Sequence, residues 1–167
     1  MTVTITGFNH AVAWNEFRRV ANRPGNASED AFIAAVTNVD YDFEGGGREW
    51  AVTDVRASVA VNPAPSWVVQ SQQTASLLAH EQGHFDITAL GLREEANRTA
   101  EITGTSRRDI RRQRNQLHEG IQRRINQANR RYDTLTNHGR NAAVQRRWEQ
   151  SISAAKGRDD GTLDDLP

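Results

Sequence analysis

The sequence predicts an α+β domain, with a mainly antiparallel sheet first and helices after it. Three observations predict this. Short β-branched runs in residues 1–65 alternate apolar and polar positions, apolar stripes at helical spacing fill residues 66–157, and the change between them happens once, just after Pro63 and Pro65. A chain of 167 residues is one domain long. The expected division is a single domain over 1–157, β-rich over 1–65 and helical over 66–157. The acidic tail 158–167 is expected to be disordered.

The elements follow in order. Val3 and Ile5 alternate with Thr2, Thr4 and Thr6, which makes a strand. Residues 14–20 read as a short helix and residues 32–39 as a second strand. Gly45-Gly46-Gly47 marks a hairpin loop. Beyond it, Trp50, Val52, Asp54, Arg56, Ser58 and Ala60 alternate with Ala51, Val55 and Val61 in a longer strand. From Trp67 to about Thr99, Leu78, Phe85, Ala89, Leu92 and Ala96 recur at spacings of 7, 4, 3 and 4. Gly104 ends that helix, and Ser106 with Asp109 resembles the cap of the next. The second helix carries Ile110, Leu117, Ile121, Ile125, Ala128 and Tyr132. A shorter third carries Val144, Trp148 and Ile152, with Gly157 past its end.

Composition excludes several classes. Mean hydropathy is −0.74, yet four Trp, five Phe and the periodic stripes lift the chain above a disordered composition. No apolar run is long enough to span a membrane. With zero Cys, disulfides and thiolate chemistry are absent, and any metal site must use His, Asp and Glu. The net charge of zero hides a segment, 105–156, with 13 Lys and Arg against 4 Asp and Glu. Its arginines flank an apolar stripe as on any amphipathic helix, which weighs against a nucleic-acid partner. Met1–Phe8 has neither a basic nor an apolar leader region, so no signal peptide is expected in the chain as given.

Residues 80–84, His-Glu-Gln-Gly-His, carry the chemistry. At about 100° per residue, His80 and His84 lie on one helix face one turn apart, and both rings can reach one ion. Glu81 is placed to hold a proton on a water there. A shuffled chain of this composition would show the pattern only about 0.01 times, so the zinc-helix reading outweighs a chance pair. Zinc bound this way normally has a third protein ligand. The candidates are His118, Glu119, Asp133 and His138; Glu94 and Glu95 lie about 15 Å too far along the helix. His10 reads as a surface histidine.

Leu77-Leu78-Ala79-His80-Glu81-Gln82-Gly83-His84-Phe85-Asp86-Ile87, then Tyr132-Asp133-x-x-Thr136-x-His138-Gly139 and Trp148, resemble a bacterial family. It is domain-of-unknown-function family 922, described as predicted secreted zinc-dependent proteases. Trp14-x-x-Phe17 and Ser66-Trp67-Val68 extend the resemblance over nearly the whole chain. It implies a zincin-like fold, Zn²⁺ on His80, His84 and His138, a peptide or protein substrate, and a secreted or periplasmic location. The missing leader leaves a cytoplasmic location open.

In this reading Glu81 is the general base of an endopeptidase, and Tyr132 and Asp133 serve as oxyanion donor and partner to a zinc histidine. An extended substrate would add to a sheet edge; the 50–61 strand is nearest in sequence. One geometric objection stands. A straight helical hairpin centred on residue 103 would set 122–126 against 80–84 and leave His138 about 18 Å beyond, so the chain must bend back after Tyr132. The alternative function is a non-catalytic binding or adaptor module on the same scaffold.

Overall fold

Pairing between segments far apart in the chain sets the architecture. In the computed structural model, which describes residues 1–167, the strands are β1 (Thr2–Thr6), β2 (Arg18–Val20), β3 (Ala31–Phe32), β4 (Ala35–Gly46), β5 (Glu49–Val61) and β6 (Trp67–Val69). Helix α1 (Ala75–Ala100) follows, then the short β7 (Thr103–Gly104), α2 (Arg107–Thr136) and α3 (Ala142–Lys156). The α+β class is as expected, but the sheets are mixed. β5 lies inside a four-stranded sheet, antiparallel to β4 and β7 and parallel to β1. A second sheet of three strands has the order β2-β6-β3, with β2 parallel to β6. Alternation in sequence reports which face a side chain takes and not the direction of the partner strand, so the parallel pairs were invisible.

Several boundaries differ from expectation, each for a local reason. Residues 14–20 form a single 3₁₀ turn, Trp14–Glu16, and then β2, because Arg18–Val20 find a ladder partner in Trp67–Val69. The β half therefore runs past the prolines to Val69. The expected strand over 32–39 is broken between Phe32 and Ala35. There Ala34 donates its N–H to Ser66 Oγ at 2.9 Å, and the Ile33 N–H faces the Glu81 carboxyl. The tail 158–167 is not disordered: Leu163 is buried, Thr162 caps a 3₁₀ turn, and the Arg93 guanidinium donates to the carbonyls of Ala155 and Gly161 at 2.7 and 2.6 Å.

Two hydrophobic clusters meet on α1. Phe85, Ala89, Leu92 and Ala96 pack on Val52, Val55, Ala57 and Val59 of β5. Ile87 and Leu90 pack instead on Ile121, Ile125 and Tyr132 of α2 and on Trp148 and Ile152 of α3. Helix α1 is thus buried on both flanks and lacks the single apolar face of a surface helix. Burial continues through its charged positions, which are paired. Glu95 meets Arg114 at 3.1 Å and His118 at 2.9 Å, and Glu94 meets Arg124. Part of the arginine excess in 105–156 is therefore structural: Arg114 and Arg124 neutralise buried acids, and Arg107 and Arg111 lie over the rings of Trp50 and Phe43. No helix is long and apolar enough to cross a membrane.

The hairpin register is the fold's main contribution to the site. Contacts His84–Asn129 and His80–Asp133 centre it near residue 107 and not 103. The first turns of α2 overhang the end of α1 and bury Ile110 in the sheet cluster, which shifts α2 along α1. α2 also stays helical to Thr136, beyond the bend expected after Tyr132.

Candidate metal centre

His80 and His84 stand one turn apart on α1, as their spacing dictates. α2 delivers Asp133 against both. His84 Nε2 lies 2.9 Å from Asp133 Oδ1, His80 Nε2 3.1 Å from the same oxygen, and the two Nε2 atoms 3.2 Å from each other. These are the residues whose ligand atoms cluster.

The outer partners fix what the three atoms offer. Gln145 Nε2 donates to Glu149 Oε1 at 3.0 Å and to Tyr132 Oη at 2.5 Å. A carboxylate only accepts, so the amide nitrogen must point that way and the Gln145 oxygen must face His80. His80 Nδ1 then donates to Gln145 Oε1 at 3.1 Å, and His84 Nδ1 donates to Asn129 Oδ1 at 2.7 Å. With hydrogen on both Nδ1 atoms, the neutral rings turn their Nε2 lone pairs toward Asp133. Three acceptors about 3 Å apart repel one another unless positive charge sits among them. A proton can supply part of it: burial pulls the His84 pKa down, but Asp133 and Glu81 outweigh that and raise it. Burial likewise pushes the Asp133 carboxyl up, and the two histidines outweigh it and hold it well below the usual range. A divalent cation satisfies all three at once. Ligands about 2.0–2.1 Å from a tetrahedral zinc are about 3.3 Å apart, close to the triangle found here.

Glu81 comes from the same helix turn and points to the broken strand at Ile33. Burial pushes its carboxyl up to about 7, against the opposing pull of His84. It lines a cavity of about 460 Å³ together with His80, His84, Thr88, Asp133 and His138. β3 and the start of β4 form the facing wall.

Two expected roles are corrected. His138 is not the third member of the cluster; Asp133 is. Because α2 runs on to Thr136, Asp133 keeps its helical position opposite the histidines, and His138 falls in the turn beyond. There Asn137, His138 and Gly139 have φ of 51°, 52° and 78°, and the His138 ring reaches Asp133 Oδ1 at 3.3 Å from the cavity wall. Gly139 is required in that turn, since a Cβ would sit 3.0 Å from His80 Cβ as well as at positive φ. Tyr132, expected as an oxyanion donor, does not line the cavity. It is fully buried beneath the site, stacked on His80 with centroids 4.6 Å apart, and its hydroxyl oxygen accepts from Gln145 Nε2; burial raises its pKa. His118 belongs to Glu95, Glu119 faces solvent, and His10 is half-buried against Glu16 and Phe85. Gln145 and Asn129 are the residues that sequence reasoning missed. Amides on amphipathic helices are too common to carry a signal.

Gly83 shows how tightly the platform is fitted. A Cβ there would fall far inside contact distance of the Tyr132 hydroxyl, its ring and hence the His80 stack. Gly83→Ala should therefore lower stability by about 1–3 kcal/mol, measured by urea unfolding. Unchanged stability would show that Tyr132 moves freely.

A family model described as "Bacterial protein of unknown function (DUF922)" matches residues 2–139, a span that includes His80, Glu81, His84, Asp133 and His138 and stops short of α3. No curated protein and no solved structure matches the chain.

Proposed function

The chain belongs to the DUF922 family of bacterial proteins of unknown function, and we propose that this member is a zinc-dependent peptidase. One observation carries the reading: three acceptor atoms, His80 Nε2, His84 Nε2 and Asp133 Oδ1, converge within 2.9–3.2 Å of one another beside a buried carboxyl. His80, His84 and Asp133 would hold the ion. Zinc bound there would supply Lewis acidity toward a carbonyl and toward water.

The protein's own groups do the rest. Glu81 accepts the proton of the attacking water and returns it to the leaving amine; an acidity near neutrality suits both transfers. Gln145 and Asn129 hold the two imidazoles in the ligating tautomer, and His138 steadies the Asp133 carboxylate. Substrate would lie along β4. β5, the strand expected to offer the sheet edge, is paired on both sides, whereas β4 is paired on one side only and its first residues line the cavity.

Two histidines and one carboxylate also suit non-haem iron(II). Glu81 favours hydrolysis, since a carboxyl on the same helix turn is placed to take a proton from water. Metal analysis after reconstitution should give one zinc per chain, and the loaded protein should cleave fluorescein-labelled casein in a reaction stopped by a chelator. Preferential uptake of iron(II), or zinc binding without cleavage, would overturn the proposal.

A further inference from the structure

The cavity has a third wall of which the peptidase reading uses only Asn129. α2 turns Gln122, Asn126 and Asn129 toward it, at spacings of 4 and 3 residues that continue to Asp133. Gln122 and Asn126 make no side-chain hydrogen bond, and Asn129 spends only its oxygen, on His84. Three carboxamides with spare donors and acceptors therefore stand in line beside the metal ligands.

Their spacing is somewhat shorter than the repeat of an extended chain, a difference that flexible carboxamide side chains can span. Along α2 the positions 122, 126, 129 and 133 rise by about 6, 4.5 and 6 Å. An extended polypeptide presents main-chain groups of like direction about every 6.8 Å. A carboxamide carries the same donor and acceptor pair as a peptide unit, so it can bond both edges of a main chain without regard to side chains. On the opposite wall Ala35 and Thr37 leave the start of β4 free of bulk, while Phe32 and Glu29 flank it on the β3 side.

Resting on the peptidase reading, we infer that Gln122, Asn126 and Asn129 form a rail that holds the main chain of an extended stretch of polypeptide against β4. They select for an extended backbone: a folded segment, whose own hydrogen bonds occupy its peptide groups, would leave the amides unpaired.

The test is binding, measured apart from turnover. Zinc-loaded Glu81→Gln protein is titrated into a fluorescein-labelled decapeptide of Ala, Ser and Gln, and anisotropy is followed. Gln122→Ala and Asn126→Ala, each added to that background, should weaken binding about 3- to 10-fold, the worth of one hydrogen bond. Zinc content and melting temperature should not change, because neither side chain supports another group. Unchanged affinity in the double variant, with the wild type still cleaving casein, overturns the rail alone. Tighter binding of a neutral oligosaccharide such as chitohexaose than of the peptide also overturns it. If the zinc-loaded protein binds no peptide and the wild type cleaves none, the peptidase reading fails and the rail with it.

Discussion

Glu81→Gln should keep zinc and fold and lose peptide hydrolysis by about 10²- to 10⁴-fold, the range that a positioned acid–base group supplies. The substitution is nearly isosteric. It removes the ability to take a proton, and it also removes a carboxylate that is costly to bury: the pKa of Glu81, pushed up to about 7 by burial, reports that cost. The variant should therefore be at least as stable as wild type at neutral pH. The sign follows from linkage. A carboxyl whose folded pKa is raised contributes its stabilisation fully below the unfolded value of 4.5 and loses it as pH rises through 7. In metal-free protein, the stability advantage of the glutamine variant should accordingly grow over that interval. Equal cleavage rates for the two proteins would remove Glu81 from the mechanism.

Asp133→Ala should be the most damaging substitution for metal binding among the non-histidine residues. It deletes the one oxygen in contact with both Nε2 atoms. Outer partners of metal ligands typically cost about 10- to 100-fold in affinity when removed. Asp133→Ala should exceed that range, Gln145→Ala should fall within it, and His138→Ala should not exceed it. A zinc titration in which His138→Ala is worse than Asp133→Ala would restore the ligand set that the family resemblance implied.

The local half of the site was legible in the sequence because it is a matter of one helix turn. His80, Glu81 and His84 are set by 3.6-residue geometry, and nothing tertiary can separate them. The same holds for the Ser106 cap, where Asp109 N–H donates to Ser106 Oγ at 3.1 Å, and for the C-terminal ends of α1 and α3; the start of α1 was not legible, since the helix expected from Trp67 begins only at Ala75, after β6 and a 3₁₀ turn. Asp133 was only one of several candidates, since choosing it required the register of α2 on α1. That register depends on the overhang that buries Ile110 in the cluster shared by the sheet and α1. The two αL residues, Asn137 and His138, were equally hidden: they let α2 run on to Thr136 before the chain turns. The tail misled through its acids, some of which are paired with Arg124 and Arg158 while Leu163 is buried in the helical cluster.

Because α1 lies between two hydrophobic clusters, a bound ion would tie together only one of them. Asp133 rides on α2 and Gln145 on α3, so both ligation and its support come from the helical side. In amide hydrogen exchange, openings that detach α2 or α3 from α1 would have to release the ion. At a hundredfold excess of free metal over the dissociation constant they would cost about 2.7 kcal/mol more. Fraying of the β4–β5 hairpin tip at Gly46 and Glu49 releases nothing and should exchange at the same rate with or without metal. The molecule would then carry two independent protection regimes along a single helix, one face of α1 answering to metal concentration and the other to temperature and solvent alone.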